Sequence, residues 1–275
     1  MPPSEGEGAV EVAAQTYGYE SGAFGATRVR AVAVEAPVQF VIGGAPHAVM
    51  MATPRDLEDF AYGFLLTEGI ATTREDVRGL EVAQADGGWR IAAALAGDRL
   101  KAHLARKRAM SGRTGCGLCG VEDFADIPAP GPVHAGAPLS PAAVGAALAA
   151  LESRQPLNAR TRAVHAAAWV APDGRIVLVR EDVGRHNALD KAIGALWREG
   201  ADSRAGFFLI TSRCSFEMVV KTAIFGAGAL VSVSAPTSLA LEKARAFGVT
   251  LLAVARPDGA LSFEPASPAS GEIAA

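Results

Sequence analysis

The sequence contains little cysteine, little charge and no excess of one sign. Only 3 of its 275 residues are cysteines, and 26 basic against 29 acidic residues give a net charge of −3. So few cysteines, in an odd number, exclude a secreted disulfide scaffold and favour a reducing compartment, so we expect the cytoplasm. The near balance of charge argues against a protein whose main task is to wrap nucleic acid.

The first residues also lack the features of a targeting or anchoring segment. Residues 1–8 contain no basic flank followed by an apolar run, so we expect neither a signal peptide nor a membrane anchor. Half of the residues are hydrophobic, which is enough for large cores in one or two compact domains. Residues 1–16 and the tail 266–275 are predicted to be disordered.

What the sequence does contain is a glycine-rich loop with two cysteines, at residues 111–120 (SGRTGCGLCG). The spacing of Cys116 and Cys119 lets both sulfurs approach one another, one metal ion or one incoming sulfur atom, and the glycines permit the backbone angles that this requires. Arg113 and the basic residues 106–108 favour the thiolate, which is the nucleophilic and metal-binding form. Spacing alone does not choose among these uses, and a structural disulfide is a further alternative.

The chain before this loop is predicted to form a small α+β domain, residues 17–126, that ends in the cysteine loop. Strands are predicted at 28–34, 38–42, 80–82 and 89–95. Thr53 and Pro54 form a cap and first-turn pair that predicts a helix ending near Gly69. Residues 127–139 are so rich in proline and glycine that they are predicted to be a linker or a long surface loop.

The chain after the linker, residues 140–265, is predicted to be a layered α/β domain with a mixed sheet. Ser140 and Pro141 open a helix, and residues 172–174 (PDG) predict a hairpin. Strands and helices then alternate: strands at 206–211, 230–233 and 250–255, with helices at 216–227 and 236–247. Ligands of such sheets favour the loops beyond the strand ends, and three polar clusters fall in those loops.

The first polar cluster, residues 180–187, is dense in groups able to bind a ligand. Arg185 is suited to a phosphate, His186 to proton exchange or hydrogen bonding near neutral pH, and Asn187 to capping a helix whose N-terminus attracts anions. A helix-entry turn held by its own salt bridges is the alternative.

The second and third polar clusters follow the next two strands. In the second, residues 211–217, we expect Cys214 to be buried and Glu217 to form an ordinary surface pair with Lys221, four residues on. In the third, residues 232–238, the hydroxyls of Ser234 and Thr237 are candidates to hold a phosphate or a nucleobase. His165, in a predicted strand, counts as a site residue only if it faces the same cavity.

Several of these motifs together resemble the formate dehydrogenase accessory sulfurtransferase family, FdhD. The matching segments are 63–70 (GFLLTEGI), 112–122 (GRTGCGLCGVE), 180–191 (REDVGRHNALDK), 212–221 (SRCSFEMVVK) and 234–240 (SAPTSLA). They occur in the family's order, and the resemblance runs from about Val29 to Arg256. One departure concerns the residues before His165: relatives usually have Thr-Gly-Gly where this sequence has Thr161, Arg162 and Ala163, which weakens any role for His165.

The resemblance implies a sulfur carrier. Members accept persulfide sulfur from a cysteine desulfurase and pass it to the molybdenum or tungsten bis-guanine-dinucleotide cofactor, which formate dehydrogenase receives in its active form. Carried over, Cys116 bears the persulfide and Cys119 helps to receive or pass the sulfur.

The resemblance also implies a cytidine deaminase-like domain, a homodimer and a cofactor-binding stretch at residues 254–259. That stretch consists of Val254, Ala255, Arg256, Pro257, Asp258 and Gly259, and Arg256 is its expected phosphate partner. Deaminase chemistry is not expected, because the His-x-Glu and Pro-Cys-x-x-Cys signature is missing. Two alternatives remain at this point: a cofactor-binding chaperone without obligatory sulfur transfer, and a zinc or redox Cys-x-x-Cys protein.

Overall fold

The computed structural model describes residues 6–109, 130–133 and 139–263. Cys116, Cys119 and Arg113 lie outside these ranges, as do the predicted tail and most of the predicted linker. Predictions made for those residues therefore stay predictions. In the part of the chain that is described, no helix is long and apolar enough to cross a membrane.

The chain begins with a long two-stranded ribbon. Strand β1 (Ala9–Gly18) pairs antiparallel with β2 (Ala23–Ala33), and within the described ranges it pairs with no other strand. The predicted disorder up to residue 16 is thus corrected for residues 9–16. Their weakly apolar sequence is ordered by partners that lie later in the chain, since Val10 stands opposite Val32 and Ala13 opposite Val29.

A four-stranded mixed sheet follows, with strand order β4-β3-β6-β5. Its elements are β3 (Ala36–Ile42), β4 (Ala45–Ala52), β5 (Val77–Ala85) and β6 (Gly88–Leu95), with helices α1 (Leu57–Thr67) and α2 (Gly97–Ala109). Helix α1 begins three residues later than predicted, at Asp56 as N-cap. The predicted cap, Thr53, is instead bonded to the second half of the molecule, as described below.

The second half contains a six-stranded mixed sheet with strand order β12-β11-β10-β9-β7-β8. The strands are β7 (His165–Val170), β8 (Ile176–Asp182), β9 (Phe207–Ile210), β10 (Ala229–Ser232), β11 (Thr250–Arg256) and β12 (Gly259–Ser262). The helices are α3 (Pro141–Leu151), α4 (Pro156–Thr161), α5 (Arg185–Glu199), α6 (Phe216–Phe225) and α7 (Ser238–Phe247). The predicted α/β class is confirmed; the cytidine deaminase-like layering remains a prediction.

The two halves meet where α1 crosses α5. Two glycines make this crossing close: a Cβ on Gly63 would overlap the backbone carbonyl of Asp190, and a Cβ on Gly194 would overlap that of Asp59. Phe60 and Leu65 of α1 and Ile193 of α5 are fully buried near the crossing. Two small residues therefore bring the helix backbones into contact, and the halves share a packed interface.

Candidate functional site

All three polar clusters lie at one edge of the six-stranded sheet. Strands β9, β10 and β11 are parallel and end there. Strand β8 also ends there, at Asp182, and the antiparallel β7 begins there, with His165 opposite Asp182. The topology therefore brings together loops that are far apart in the sequence, as the sequence predicted. We call this the site edge.

Backbone hydrogen bonds join the loops of the site edge to one another. The Cys214 N–H donates to the Ala235 carbonyl at 3.2 Å, and the Thr237 N–H donates back to the Cys214 carbonyl at 3.0 Å. The Val254 N–H donates to the Ser234 carbonyl at 3.1 Å. The second cluster, the third cluster and the predicted cofactor-binding stretch thus form one bonded framework.

The hydroxyl-bearing residues and Cys214 have local roles in this framework. Thr237 caps α7 by accepting a hydrogen bond from the Ala240 N–H at 3.3 Å, and its side chain is exposed. Ser234 is half-buried and contributes its carbonyl to the framework. Cys214 is completely buried, as predicted, and burial raises the pKa of its thiol to about 12. A thiol with that pKa is not a nucleophile at neutral pH.

A cleft of about 360 Å³ opens at the site edge. His165, Thr211 and Arg256 line it together with Arg162 and Pro257. His165 therefore does face the cavity. Its burial, and then the positive charge of Arg185, lower the pKa of its imidazole, so His165 is neutral at neutral pH and can both donate and accept a hydrogen bond.

Two features of the backbone place arginines at this cleft. Val254 has a φ of 52°, which is rare for a β-branched residue. The chain that follows it places Arg256 at the rim of the cleft. There the Nη1 of Arg256 donates to the Val233 carbonyl at 2.6 Å. Arg162 ends α4 with a φ of 55°, in the left-handed conformation that favours glycine. The departure from Thr-Gly-Gly therefore places a second guanidinium beside the cleft.

Of the rest of the predicted stretch, Ala255 is buried, Asp258 lies in the exposed turn before β12, and Gly259 is the exposed first residue of that strand. Arg256 and Pro257 are exposed as well. The stretch is therefore accessible from Arg256 onward.

The residues of the first polar cluster have different positions and roles at the start of α5. Gly184 is the N-cap of this 15-residue helix. Asp182 accepts the N–H of Gly184 itself, and no side chain in the described residues caps the first-turn N–H groups of the helix, which are therefore available to an anion. The Nε atom of Arg185 is buried there and has no hydrogen-bond partner within the described residues. A buried guanidinium nitrogen without a partner is costly, and an anionic oxygen would satisfy it.

His186 lies in the same cluster and is bonded across to α6. Its Nε2 is 2.9 Å from Oε2 of Glu217. Burial opposes ionisation of Glu217, but the hydrogen bond from His186 and the charges of His186, Lys221 and Arg185 outweigh it, so the pKa of Glu217 is lowered. The carboxylate thus orients the imidazole toward the site edge.

Asn187 has a different position from the one predicted. It is not the helix cap; it is buried, and its Nδ2 donates to the Met51 carbonyl at 2.8 Å and to Asp182 Oδ1 at 3.0 Å. Its amide group therefore joins the two halves of the molecule. The reason for the correction is that Asp182, not Asn187, accepts the N–H of Gly184, at 2.7 Å.

Asp182 is the centre of a buried polar cluster that the sequence did not reveal. Its Oδ2 accepts from Lys191 Nζ at 2.6 Å and from the Thr53 N–H at 3.0 Å. Lys191 also donates to the Thr53 carbonyl at 2.8 Å, and both charged side chains are fully buried. We call Thr53, Asp182, Asn187 and Lys191 the clasp, because they bond β4 and the start of α1 to α5.

A second buried ion pair, with further bonds across the same interface, corrects another prediction. Lys221 does not pair with Glu217 on the surface. Its Nζ lies 2.9 Å from Asp190 Oδ2, 2.8 Å from Thr67 Oγ1 and 3.3 Å from Glu68 Oε1. Although burial opposes it, the charges of Asp190 and Glu68 raise the pKa of Lys221, so the ammonium is retained.

The cysteine loop lies outside the described residues, between the end of α2 and residue 130. The chain is described again at residues 130–133, where the Val133 N–H donates to the Phe247 carbonyl at 2.8 Å. Within the described ranges there is no group of three or more histidine, cysteine or acidic residues arranged to hold a metal ion. The chemistry of Cys116 and Cys119 therefore depends on the sequence and on relatives.

Comparison with known proteins identifies those relatives. The model of the FdhD/NarQ family matches residues 33–267. The sulfur carrier protein FdhD of Cupriavidus necator is 48% identical over 82% of this chain and 78% of its own length, and that of Bordetella petrii is 47% identical over 87% of both chains.

The fold also has a solved counterpart. A crystal structure assigned to a formate dehydrogenase accessory protein of Desulfotalea psychrophila superposes with a TM-score of 0.69 and covers 94% of this chain and 97% of its own, at 24% identity. That likeness shows the fold, while the family model and the sequence identities establish the kinship. The chain belongs to the FdhD/NarQ family.

Proposed function

We propose that the protein is a sulfur carrier that accepts persulfide sulfur on Cys116 from a cysteine desulfurase and passes it to the molybdenum bis(molybdopterin guanine dinucleotide) cofactor of formate dehydrogenase. A tungsten cofactor would be handled by the same groups. Support comes from relatives named sulfur carrier protein FdhD at 47–48% identity, and from the intact Cys-x-x-Cys loop in this chain.

The two cysteines account for the transfer without an external oxidant. The Cys116 thiolate attacks the terminal sulfur of the desulfurase persulfide, which releases the desulfurase thiolate and leaves a persulfide on Cys116. The Cys119 thiolate then attacks the inner sulfur, which forms a Cys116–Cys119 disulfide and releases the terminal sulfur as hydrosulfide. The two electrons come from the two cysteines, and a cellular dithiol restores them.

The observation in the structure that supports the cofactor-binding part most directly is the buried Nε of Arg185, which has no hydrogen-bond partner among the residues that the structure describes. It lies at the open N-terminus of α5, and its charge acts on His165, which lines the cleft together with Arg162 and Arg256. Guanidinium groups and a helix N-terminus suit the phosphates of a guanine dinucleotide. The neutral His165 imidazole suits a nucleobase or a ribose hydroxyl.

The remaining features of the proposal follow from the family. The partners are a cysteine desulfurase and the catalytic subunit of formate dehydrogenase, the protein acts as a homodimer in the cytoplasm, and the second half has the cytidine deaminase-like arrangement. The fixed interface of clasp and helix crossing supports a carrier in which the cofactor-binding edge keeps its position relative to α2, the helix that leads to the cysteine loop.

Binding of guanosine diphosphate, measured by calorimetry, tests the cofactor-binding part separately from sulfur chemistry. Arg185→Gln and Arg256→Gln should each weaken binding about tenfold or more, since each removes a charged hydrogen bond to phosphate. Arg204→Gln is the matched control, because Arg204 is exposed and its side-chain bonds within the described part of the chain are to the nearby Asp202. Equal affinities in all four proteins would contradict the assignment of the site edge.

Cys116→Ala separates the proposal from a cofactor chaperone. A sulfur carrier lacking this thiol should bind the nucleotide normally and yet yield inactive dehydrogenase. A chaperone lacking it should still support activity. The nucleotide assay therefore tests the cofactor site and the maturation assay tests sulfur transfer, so that either part of the proposal can be contradicted without the other.

A further inference from the structure

The cleft at the site edge contains hydrogen-bond acceptors that phosphate binding does not explain. Glu152 and Gln155, in the segment that connects α3 to α4, both line it. A phosphate presents acceptors of its own, so a carboxylate and an amide carbonyl would repel it. This end of the cleft, which we call the acceptor end, therefore suits a part of a ligand that donates hydrogen bonds.

Gln155 is held in position, and its side-chain carbonyl is the central feature of the acceptor end. The residue is 5% exposed, and its Nε2 donates to the Leu151 carbonyl at 3.2 Å. Its backbone N–H donates to the Glu152 carbonyl at 3.2 Å, and its backbone carbonyl accepts from the Ala159 N–H at 2.9 Å. The Oε1 atom is buried and has no hydrogen-bond partner within residues 6–109, 130–133 and 139–263. A buried acceptor without a partner is costly, so a ligand N–H that reaches it recovers this cost.

Glu152 supplies a second acceptor, and a donor lies beside it. Its Oε1 is 3.1 Å from Nη1 of Arg162, and both side chains are more than half exposed. The pair therefore offers a ligand a carboxylate and a guanidinium side by side. The first N–H groups of α4 are already bonded, since Leu157 and Asn158 donate theirs to the Glu181 carboxylate at 2.9 and 2.8 Å.

An apolar wall completes the acceptor end. Leu148 is half-buried and Leu151 is buried, and both pack in the core between α3 and the large sheet. Val164 and Val233 also line the cleft. Aliphatic side chains beside a few polar groups suit a flat heterocyclic base, and a volume of about 360 Å³ lies within the range of small-ligand pockets.

We propose that the acceptor end is a guanine-selective subsite. The Watson–Crick edge of guanine carries the 2-amino group, N1–H and O6 in a row, which are two donors followed by an acceptor. Gln155 Oε1 accepts from the 2-amino group, the Glu152 carboxylate accepts from N1–H, and Arg162 donates to O6. The subsite rests on the proposed function, which brings a guanine nucleotide to the site edge, and it adds the residues that select the base.

The same groups would reject adenine. Adenine presents a 6-amino donor where guanine has O6, and an unprotonated N1 where guanine has N1–H. Arg162 would then face a donor and Glu152 an acceptor, while Gln155 Oε1 would gain no bond. Unpaired polar groups facing the wrong ligand discriminate strongly, because their cost adds to the bonds that are lost.

Calorimetry of the full chain with guanosine, inosine and adenosine diphosphates tests the subsite. Inosine diphosphate lacks only the 2-amino group, so the wild type should bind it about tenfold more weakly than guanosine diphosphate, and adenosine diphosphate more weakly still. Gln155→Met removes the acceptor at similar side-chain length, so it should bind guanosine and inosine diphosphates with equal affinity. Gln39→Met is the matched control, because Gln39 lies on the four-stranded sheet, where it accepts from Arg90.

Two further comparisons keep the test decisive if Gln155→Met loses local structure. The comparison of nucleotides on the wild type needs no variant, and Gln155→Glu, which retains an acceptor, should keep the preference for guanosine over inosine diphosphate. Equal affinity of the wild type for these two nucleotides would overturn the subsite, as would a Gln155→Met chain that keeps the wild-type preference. If Arg185→Gln then still weakened both nucleotides, the proposed cofactor site would stand without the subsite. A wild type that binds none of the three would overturn both.

Discussion

The buried ion pair of the clasp predicts a large loss of stability when only its cation is removed. Lys191 Nζ lies 2.6 Å from Asp182 Oδ2, and neither side chain is exposed. Lys191→Met keeps the length of the side chain but leaves the Asp182 carboxylate buried without its counter-ion. Breaking one partner of such a pair costs about 3–5 kcal/mol, because the remaining charge is uncompensated.

Thermal unfolding followed by circular dichroism measures this loss. At about 2–4 °C for each kcal/mol in a chain of this size, Lys191→Met should lower the melting temperature by roughly 6–20 °C. Arg204→Met is the control, because Arg204 and Asp202 are 65% and 54% exposed and an exposed pair contributes about 0–1 kcal/mol. The double variant Lys191→Met, Asp182→Asn should recover part of the loss. A Lys191→Met protein that melts with the control would refute the stabilising role of the clasp.

Three further predictions concern packing, pH and thiol reactivity. Gly194→Ala should lower the melting temperature, since its Cβ would overlap the neighbouring helix, whereas Gly145→Ala, whose Cβ would meet only a carbonyl oxygen at 3.5 Å, should be neutral or slightly stabilising. The hydrogen bond to His186 lowers the pKa of Glu217 below its ordinary value of 4.5, so the ionised carboxylate stabilises the folded chain. Urea unfolding should therefore show the full difference in free energy of unfolding between the wild type and Glu217→Gln above pH 4.5. That difference should disappear as the pH falls below this value. Cys214 should escape iodoacetamide in the native protein and react only after denaturation, which mass spectrometry of the alkylated chain detects.

The sequence predicted the regular part of the second half well. Proline, glycine and apolar runs delimit its elements: the predicted helix 236–247 is α7 (Ser238–Phe247), and the predicted strand 250–255 is β11 (Thr250–Arg256). Strand order brings the ends of such parallel strands to one edge, so the meeting of the three polar clusters was predictable too.

The elements that were missed lack a periodic apolar pattern of their own. Strand β1 is ordered by β2, and β4 (Ala45–Ala52) by β3, while α2 (Gly97–Ala109) is highly charged. For such segments, partners elsewhere in the chain decide the structure.

The charged interface was missed for a related reason. Lys221 and Glu217 are four residues apart, so the local rule for helices pairs them on the surface. The actual partners of Lys221 are Thr67 and Glu68, more than 150 positions earlier, and Asp190. Lys191 likewise bonds to the Thr53 carbonyl, 138 positions away. Pairs at such separations are set by the crossing of α1 and α5, which no local pattern specifies.

Much of the motif at residues 180–191 therefore serves the interface and not a ligand. Asp182, Asn187, Asp190 and Lys191 are buried between the two halves, while Arg185 and His186 face the site edge. One motif thus bonds the start of α5 to the first half of the molecule and places its arginine and histidine at the site edge. This arrangement explains how a single segment contributes to both stability and the candidate cofactor site.

Intact-mass analysis after incubation with a cysteine desulfurase and cysteine tests the central proposal most directly. The wild-type chain should gain the mass of one sulfur atom, and a reductant should remove it. Cys116→Ala should gain none, while Cys214→Ser, which changes only the buried thiol, should behave as the wild type. A wild-type chain that gains no sulfur, or a Cys116→Ala chain that gains as much as the wild type, would contradict the assignment of Cys116 as the sulfur carrier.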